Sequence, residues 1–176
     1  MSCLINSGYA LGCRDSVGGI SLAYIGNFNA DAGYLYDASE NIVGVTGSTV
    51  SYYTFEQEME TGSFTQEGAY STENGTVFFT QNLSLVFHKN DAALRNQLLV
   101  LSQANLSVIV KDQRGEYWLI GKQNGVRVTA GAMNTGKAYG DLNGVTLTLT
   151  GKEPEPAYRI DDITVSGRFP AGFYIV

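Results

Sequence analysis

Residues 76–89 read TVFFTQNLSLVFHK, and the alternation within them decides the fold class. Val77, Phe79, Leu83, Leu85 and Phe87 share one face of an extended chain, interrupted by Gln81. Phe78, Thr80, Asn82, Ser84 and Val86 share the other. Successive side chains of a strand point to opposite faces, so the pattern predicts an antiparallel sheet with one apolar and one wet side. A second long run, STVSYYTFEQEME at roughly 48–60, is expected to pair with it. The segment between them, TGSFTQEGAYSTENG at 61–75, is longer than a tight hairpin needs, so it is expected to be a functional loop or a mobile arm.

Working outward, the pattern stays β-rich. ISLAYIGNF at 20–28 predicts a strand with Ile20, Leu22 and Tyr24 on one face. Weak strands are expected near Tyr34–Tyr36 and Ile42–Val45. One helix is expected at about 91–105, with Asp91 as N-cap and Leu94, Leu98 and Leu101 as its apolar stripe. SVIVKD, a turn at QRG and EYWLIGK follow, and NGVTLTLTGKE at 143–153 is the last core strand. Asn-Gly occurs at 74–75, 124–125 and 143–144, and this dipeptide favours the turns that close hairpins. Residues 1–20 are rich in glycine and small polar residues and read as an N-terminal arm. KEPEP reads as a stiff extended linker, so 154–176 is a linker and C-terminal arm. The main domain is then 20–153. Its fold class is mainly β, an antiparallel sandwich or barrel with one flanking helix.

Charge is distributed unevenly. Residues 1–88 hold nine acids and one base, Arg14, whereas residues 89–176 hold eight acids and ten bases, which together give the net charge of −6. The acidic balance argues against a general grip on nucleic acid, which needs a basic footprint. Glu56, Glu58 and Glu60 fall at every second residue, which on a strand places three carboxylates about 7 Å apart on one face. Such a stripe costs stability unless water, a metal or a function compensates. The plain reading is a solvated edge that blocks aggregation by charge. A calcium site needs convergent oxygens, and ligands along a straight strand diverge. A glycosidase pair needs a cleft and one raised carboxyl, for which wet glutamates give no cause. The remaining reading is a channel lining, in which several copies close a ring and their glutamates repel DNA from its wall.

Other chemistry is sparse. The single histidine, His88, sits at a strand end without a G-x-S-x-G nucleophile turn. GAMNTGKA at 131–138 approaches a phosphate loop, but Ala138 lacks the hydroxyl and a following helix is not expected. Cys3 and Cys13 fit no zinc signature, and reduced thiols are favoured over a bridge. No signal peptide and no membrane span are read. The chain is therefore expected to be soluble, made in a cytoplasm, not an enzyme, and without cofactor or metal.

The order of elements, a long hairpin with a large loop, one helix and a return to strands, resembles the tail-tube fold of bacteriophages. INSGYALGCRDSVGGISLAYIGNF at 5–28 and VIVKDQRGEYWLIGKQNGV at 108–126 are similar to structural proteins of crAss-like phages. The resemblance implies a virion protein of the neck or tail, made in the host cytoplasm. It implies a homo-oligomeric ring, on the order of six or twelve copies, meeting other neck, tail or portal proteins. Genomic DNA would pass through without specific binding, and no membrane is involved. In that setting Glu56, Glu58 and Glu60 line the channel, and Phe169, Phe173, Tyr174 and Ile175 anchor an inter-subunit arm. The alternative reading is a carbohydrate- or receptor-binding β module of a head or tail fibre, with the eleven tyrosines and Trp118 available for stacking.

Overall fold

The structure is a computed structural model that describes residues 8–10, 12, 16–47, 50–160 and 173–175. Its elements are β1 (Ile20–Asn27), β2 (Gly33–Tyr36), β3 (Ile42–Thr46), β4 (Val50–Glu56), β5 (Ser63–Ser71), β6 (Thr76–His88), α1 (Ala92–Gln103), β7 (Leu106–Asp112), β8 (Tyr117–Ile120), β9 (Arg127–Asn134), β10 (Gly144–Glu153), β11 (Tyr158–Ile160) and β12 (Phe173–Ile175). Strands dominate, one helix flanks them, and they form two sheets. The larger runs β12-β4-β1-β7-β8-β11-β3-β2, and the smaller runs β5-β6-β10-β9.

Alternation in β6 works as its sequence implies near the core. Leu83, Leu85 and Phe87 are buried against Ile20, Ala23, Ile25, Leu106, Val108, Val110, Leu147 and Leu149. This first core lies between the smaller sheet and one face of the larger, and Leu94, Leu98 and Leu101 of α1 pack against it. Val77 stays 53% exposed. β10 ends where Glu153 faces Phe79, so the tip of the hairpin extends past its neighbour. Asp91 precedes α1 in an extended conformation, but its side chain makes no cap; the turn is closed by Arg95 N–H donating to the Asp91 carbonyl.

Opposite the first core, the larger sheet curls into a half-barrel around a second one, built from Tyr24, Ile42, Val50, Tyr52, Ile109, Tyr117, Leu119, Ile160 and Phe173. Curling brings its two edge strands together. Tyr34 of β2 and Phe173 of β12 have ring centroids 6.5 Å apart. Tyr52 lies on the other side of Phe173 at 5.8 Å, and its hydroxyl is 3.0 Å from that of buried Ser107.

Four expectations change. The partner of β6 is not residues 48–60 but β5, which lies inside the presumed 61–75 loop. The chain turns at 57–62, where Glu60 adopts φ 63° and Thr61 Oγ1 donates to the Glu58 carbonyl at 2.6 Å. β5 is hard to read because the side it shares with Leu83 carries Phe64, the polar Gln66, Gly68 and the exposed Tyr70. Second, of the three Asn-Gly pairs, only Asn74-Gly75, with Gly75 at φ 62°, closes a tight hairpin. Asn124-Gly125 lies where the chain crosses between sheets. Gly144 is already strand, and a Cβ there would meet the Phe87 carbonyl. Third, a bulge between Ile20 and Leu22 shifts the register, so Ile20 joins the first core while Leu22 and Tyr24 face the second. Fourth, part of the presumed C-terminal linker is structural: β11 pairs with β8 and β3, and β12 runs parallel to β4.

Gln81 ties the two sheets. It is 1% exposed; its Oε1 accepts from Gly121 N–H at 3.0 Å and its Nε2 donates to Gln66 Oε1 at 3.2 Å. Gln66 Oε1 also accepts from Ala157 N–H at 2.7 Å. The polar break in the apolar face of β6 is thus an inter-sheet link. Gln81→Leu keeps the volume but leaves the buried Gly121 N–H without its acceptor and removes one donor from Gln66 Oε1, and chemical denaturation should show a loss of about 1–3 kcal/mol.

Candidate functional site

The three glutamates do not form a strand face. β4 ends at Glu56; Glu58 and Glu60 belong to the turn that leads into β5. All three are exposed, and none takes part in an ion pair among the described residues. They form an acidic corner at the end of the smaller sheet where β5 begins, β6 ends and β10 starts. No group of three or more His, Cys, Asp or Glu is placed to hold a metal among the described residues.

The smaller sheet presents the more coherent surface. One face is spent on the first core. The register places Ser63, Thr65, Asn82, Ser84, Thr148 and Thr150 on the other. These are neutral groups, and several satisfy one another. Thr150 Oγ1 donates to Asn82 Oδ1 at 2.8 Å and lies 3.0 Å from Thr129 Oγ1. Charge enters this face near one end, at Glu67, Lys152 and Arg127. Among the described residues, no strand pairs with the outer side of β5 or of β9. Glu67 is the only charged residue of β5, which Glu58 and Glu60 precede and Glu73 follows. Arg127 is the only charged residue of β9, and Lys137 follows it. One edge is therefore acidic and the other basic.

A second polar cluster sits where the β8–β9 crossover meets the end of β10. Lys122 Nζ donates to Glu155 Oε2 at 2.8 Å and lies 3.9 Å from the centre of the Tyr158 ring and 5.1 Å from that of Tyr36. Tyr158 Oη donates to the same oxygen at 3.0 Å. Burial acts to lower the Lys122 pKa, but the bond to Glu155 and the tyrosines outweigh it and hold the ammonium above its ordinary value. The Lys122 bond holds the Glu155 carboxyl below its ordinary value. Glu153, 2% exposed, accepts from the backbone N–H groups of Gln123 and Asn124, yet burial pushes its carboxyl up. This cluster joins the crossover to the chain between β10 and β11, and its parts are distant in sequence. Sequence reasoning missed it, because only the alternation of apolar residues was read there.

The other candidates resolve individually. In 131–138, Lys137 N–H and Ala138 N–H each donate to Asp141 Oδ2 at 2.8 Å, so the chain's own carboxylate holds these amides. His88 is an exposed strand end. Trp118 packs against the first core, and its indole N–H faces Asp112 at 3.4 Å. Phe173 is 6% exposed in the chain's own core, while Tyr174 and Ile175 are 57% and 44% exposed; Phe169, Cys3 and Cys13 lie outside the described residues. No helix among the described residues is long and apolar enough to cross a membrane. Comparison with known proteins finds no family model that matches the chain and no curated protein that matches it.

The two carboxyls of the second cluster act in opposite senses with pH. Glu155, with its folded pKa lowered, contributes stability that is full above the unfolded carboxyl value of about 4.3 and is lost as pH falls through its folded value. Glu153, with its folded pKa raised, contributes stability below that unfolded value and loses it as pH rises through its folded value. In urea titrations across pH, Glu155→Gln should weaken the acid-side loss and cost about 1 kcal/mol at pH 7. Glu153→Gln should flatten the change just above pH 4–5.

Proposed function

We propose that this chain is a structural subunit of a ring or tube in a phage neck or tail, assembling side by side around a channel for DNA. The observation that carries the assembly is the topology of the smaller sheet. Its neighbouring strands are all antiparallel and their number is even, so β5 and β9 run in opposite directions. A second copy in the same orientation sets its β5 antiparallel beside β9 of the first. The acidic edge then meets the basic one, which satisfies otherwise open backbone groups and favours this pairing over like edges. Such head-to-tail contacts close into a ring when the rotation between copies permits. The phage setting rests on the resemblance in element order and in the segments 5–28 and 108–126.

In this ring the hydroxyl- and amide-bearing face of every copy turns to the same side and forms the channel wall. Around Ser63, Ser84 and Thr148 the wall is neutral and offers DNA phosphates no cations to grip, with Lys152 and Arg127 confined toward one end. Glu56, Glu58 and Glu60 then form a collar at one rim rather than the lining itself. Replacing all three by Lys should slow DNA passage through rings that still close through Glu67 and Arg127, with assembly weakened less than by Glu67→Lys.

The edges are tested by charge exchange. Arg127→Glu alone and Glu67→Lys alone should each weaken assembly as measured by light scattering, and the double variant should recover it. Both sites are exposed, so circular dichroism should be unchanged. Assemblies indifferent to both single variants would refute edge pairing. Closed rings in negative-stain images support the ring, whereas glycan binding by a protein that never assembles would favour a receptor-binding module.

A further inference from the structure

α1 has a second working stripe. Leu94, Leu98 and Leu101 pack against the first core. Gln97 and Val100, with Ala104 just past the helix end, follow one another at three- and four-residue spacing on the adjacent face. They wall a cavity of about 660 Å³. The opposite wall is the larger sheet, where Ile25 of β1 stands beside Tyr53 of β4. A cavity of this size lies within the range of small-ligand sites.

Its lining changes character from floor to rim. Ile25 and Leu106 are each 2% exposed, and Phe55 is set by the Phe87 ring 5.7 Å away, so the floor is apolar. The rim carries the amides of Asn27, Asn96 and Gln97 and the hydroxyls of Tyr53 and Thr54. Among the described residues, the side chains of Asn27, Thr54 and Gln97 and the Tyr53 hydroxyl make no hydrogen bond within the chain. Tyr53 is 53% exposed, which leaves much of its ring open at the mouth. Among the described residues, no Asp, Glu, Lys, Arg or His lines the cavity.

This combination selects a ligand class. A charged ligand would give up water without meeting an opposite charge. A wholly apolar ligand, or the apolar face of a helix, would cover the rim amides and hydroxyls without replacing their bonds to water. A neutral sugar meets both demands: its C–H face lies on an aromatic ring, and its hydroxyls bond amides that both donate and accept. We propose that the cavity between α1 and the β1–β4 pair binds a neutral saccharide, stacked on Tyr53 and hydrogen-bonded to Asn27, Asn96 and Gln97. The site goes beyond assembly and does not depend on it, since no residue of β5 or β9 lines the cavity.

The test is saturation-transfer NMR on the full chain. The probes are glucose, galactose, mannose, N-acetylglucosamine and N-acetylgalactosamine, with maltose, lactose and chitobiose as disaccharides. At least one is expected to bind, with transfer strongest at its ring C–H protons. Tyr53→Ala should weaken that binding about tenfold, and Gln97→Ala about fivefold. Tyr53→Phe keeps the ring and should retain binding. These side chains are exposed, so circular dichroism should be unchanged in all three variants. No transfer to any of these sugars would overturn the proposal, as would binding indifferent to both alanine variants. Glucuronic acid bound more tightly than every neutral sugar would overturn it too, as would an amphipathic helical peptide that occupies the cavity and that no sugar displaces. Light scattering of Tyr53→Ala should show assembly unchanged, which separates failure of this site from failure of edge pairing.

Discussion

Leu106, Ser107, Val108, Ile109 and Val110 of β7 are all buried, and this strand has no wet face along that run. Leu106, Val108 and Val110 enter the first core, while Ile109 enters the second. A sheet that is apolar on both sides must be covered twice, because each uncovered side chain forfeits about 1.5–3 kcal/mol. The smaller sheet and α1 cover one side. The larger sheet covers the other by curling on itself. Each solution leaves a remainder: the smaller sheet has a polar outer face and two edges with no strand partner among the described residues, and the curl has a seam where Phe173 meets Tyr34. The proposed contact between copies uses the edges of the smaller sheet.

Strong local patterns were readable without coordinates. Alternation in β6 and β10, the Leu94–Leu98–Leu101 stripe and the β7–β8 turn each express a single apolar face or a short-range turn. The mainly β class and the flanking helix followed from them. What escaped depends on partners far away in sequence. β5 has little apolar signal, and its Gln66 makes sense only beside Gln81 and Ala157. Lys122 and Glu155 are ordinary surface charges until the crossover sets them against Tyr36 and Tyr158. The evenly spaced glutamates carried the opposite lesson. Period-two spacing is the mark of a strand face only while the strand continues, and here it stops at Glu56.

The charge asymmetry of the chain takes on a more specific form in three dimensions. The acids of the first half border the β5 edge, and the bases Arg127 and Lys137 border the β9 edge. In one copy these edges lie on opposite sides of a four-stranded sheet. In the proposed ring they would become neighbours between copies. In the proposed ring, charge at the edges serves assembly while the middle of the polar face, around Ser63, Ser84 and Thr148, stays neutral.

Amide hydrogen exchange, compared between the dilute chain and the assembled protein, tests the central claim most directly. Pairing of β5 with β9 across copies predicts that amides within Ser63–Ser71 and Arg127–Asn134 that are open in the dilute chain become protected on assembly, while β7 is protected in both states. Assemblies in which both edge strands exchange as fast as in the dilute chain would contradict the account.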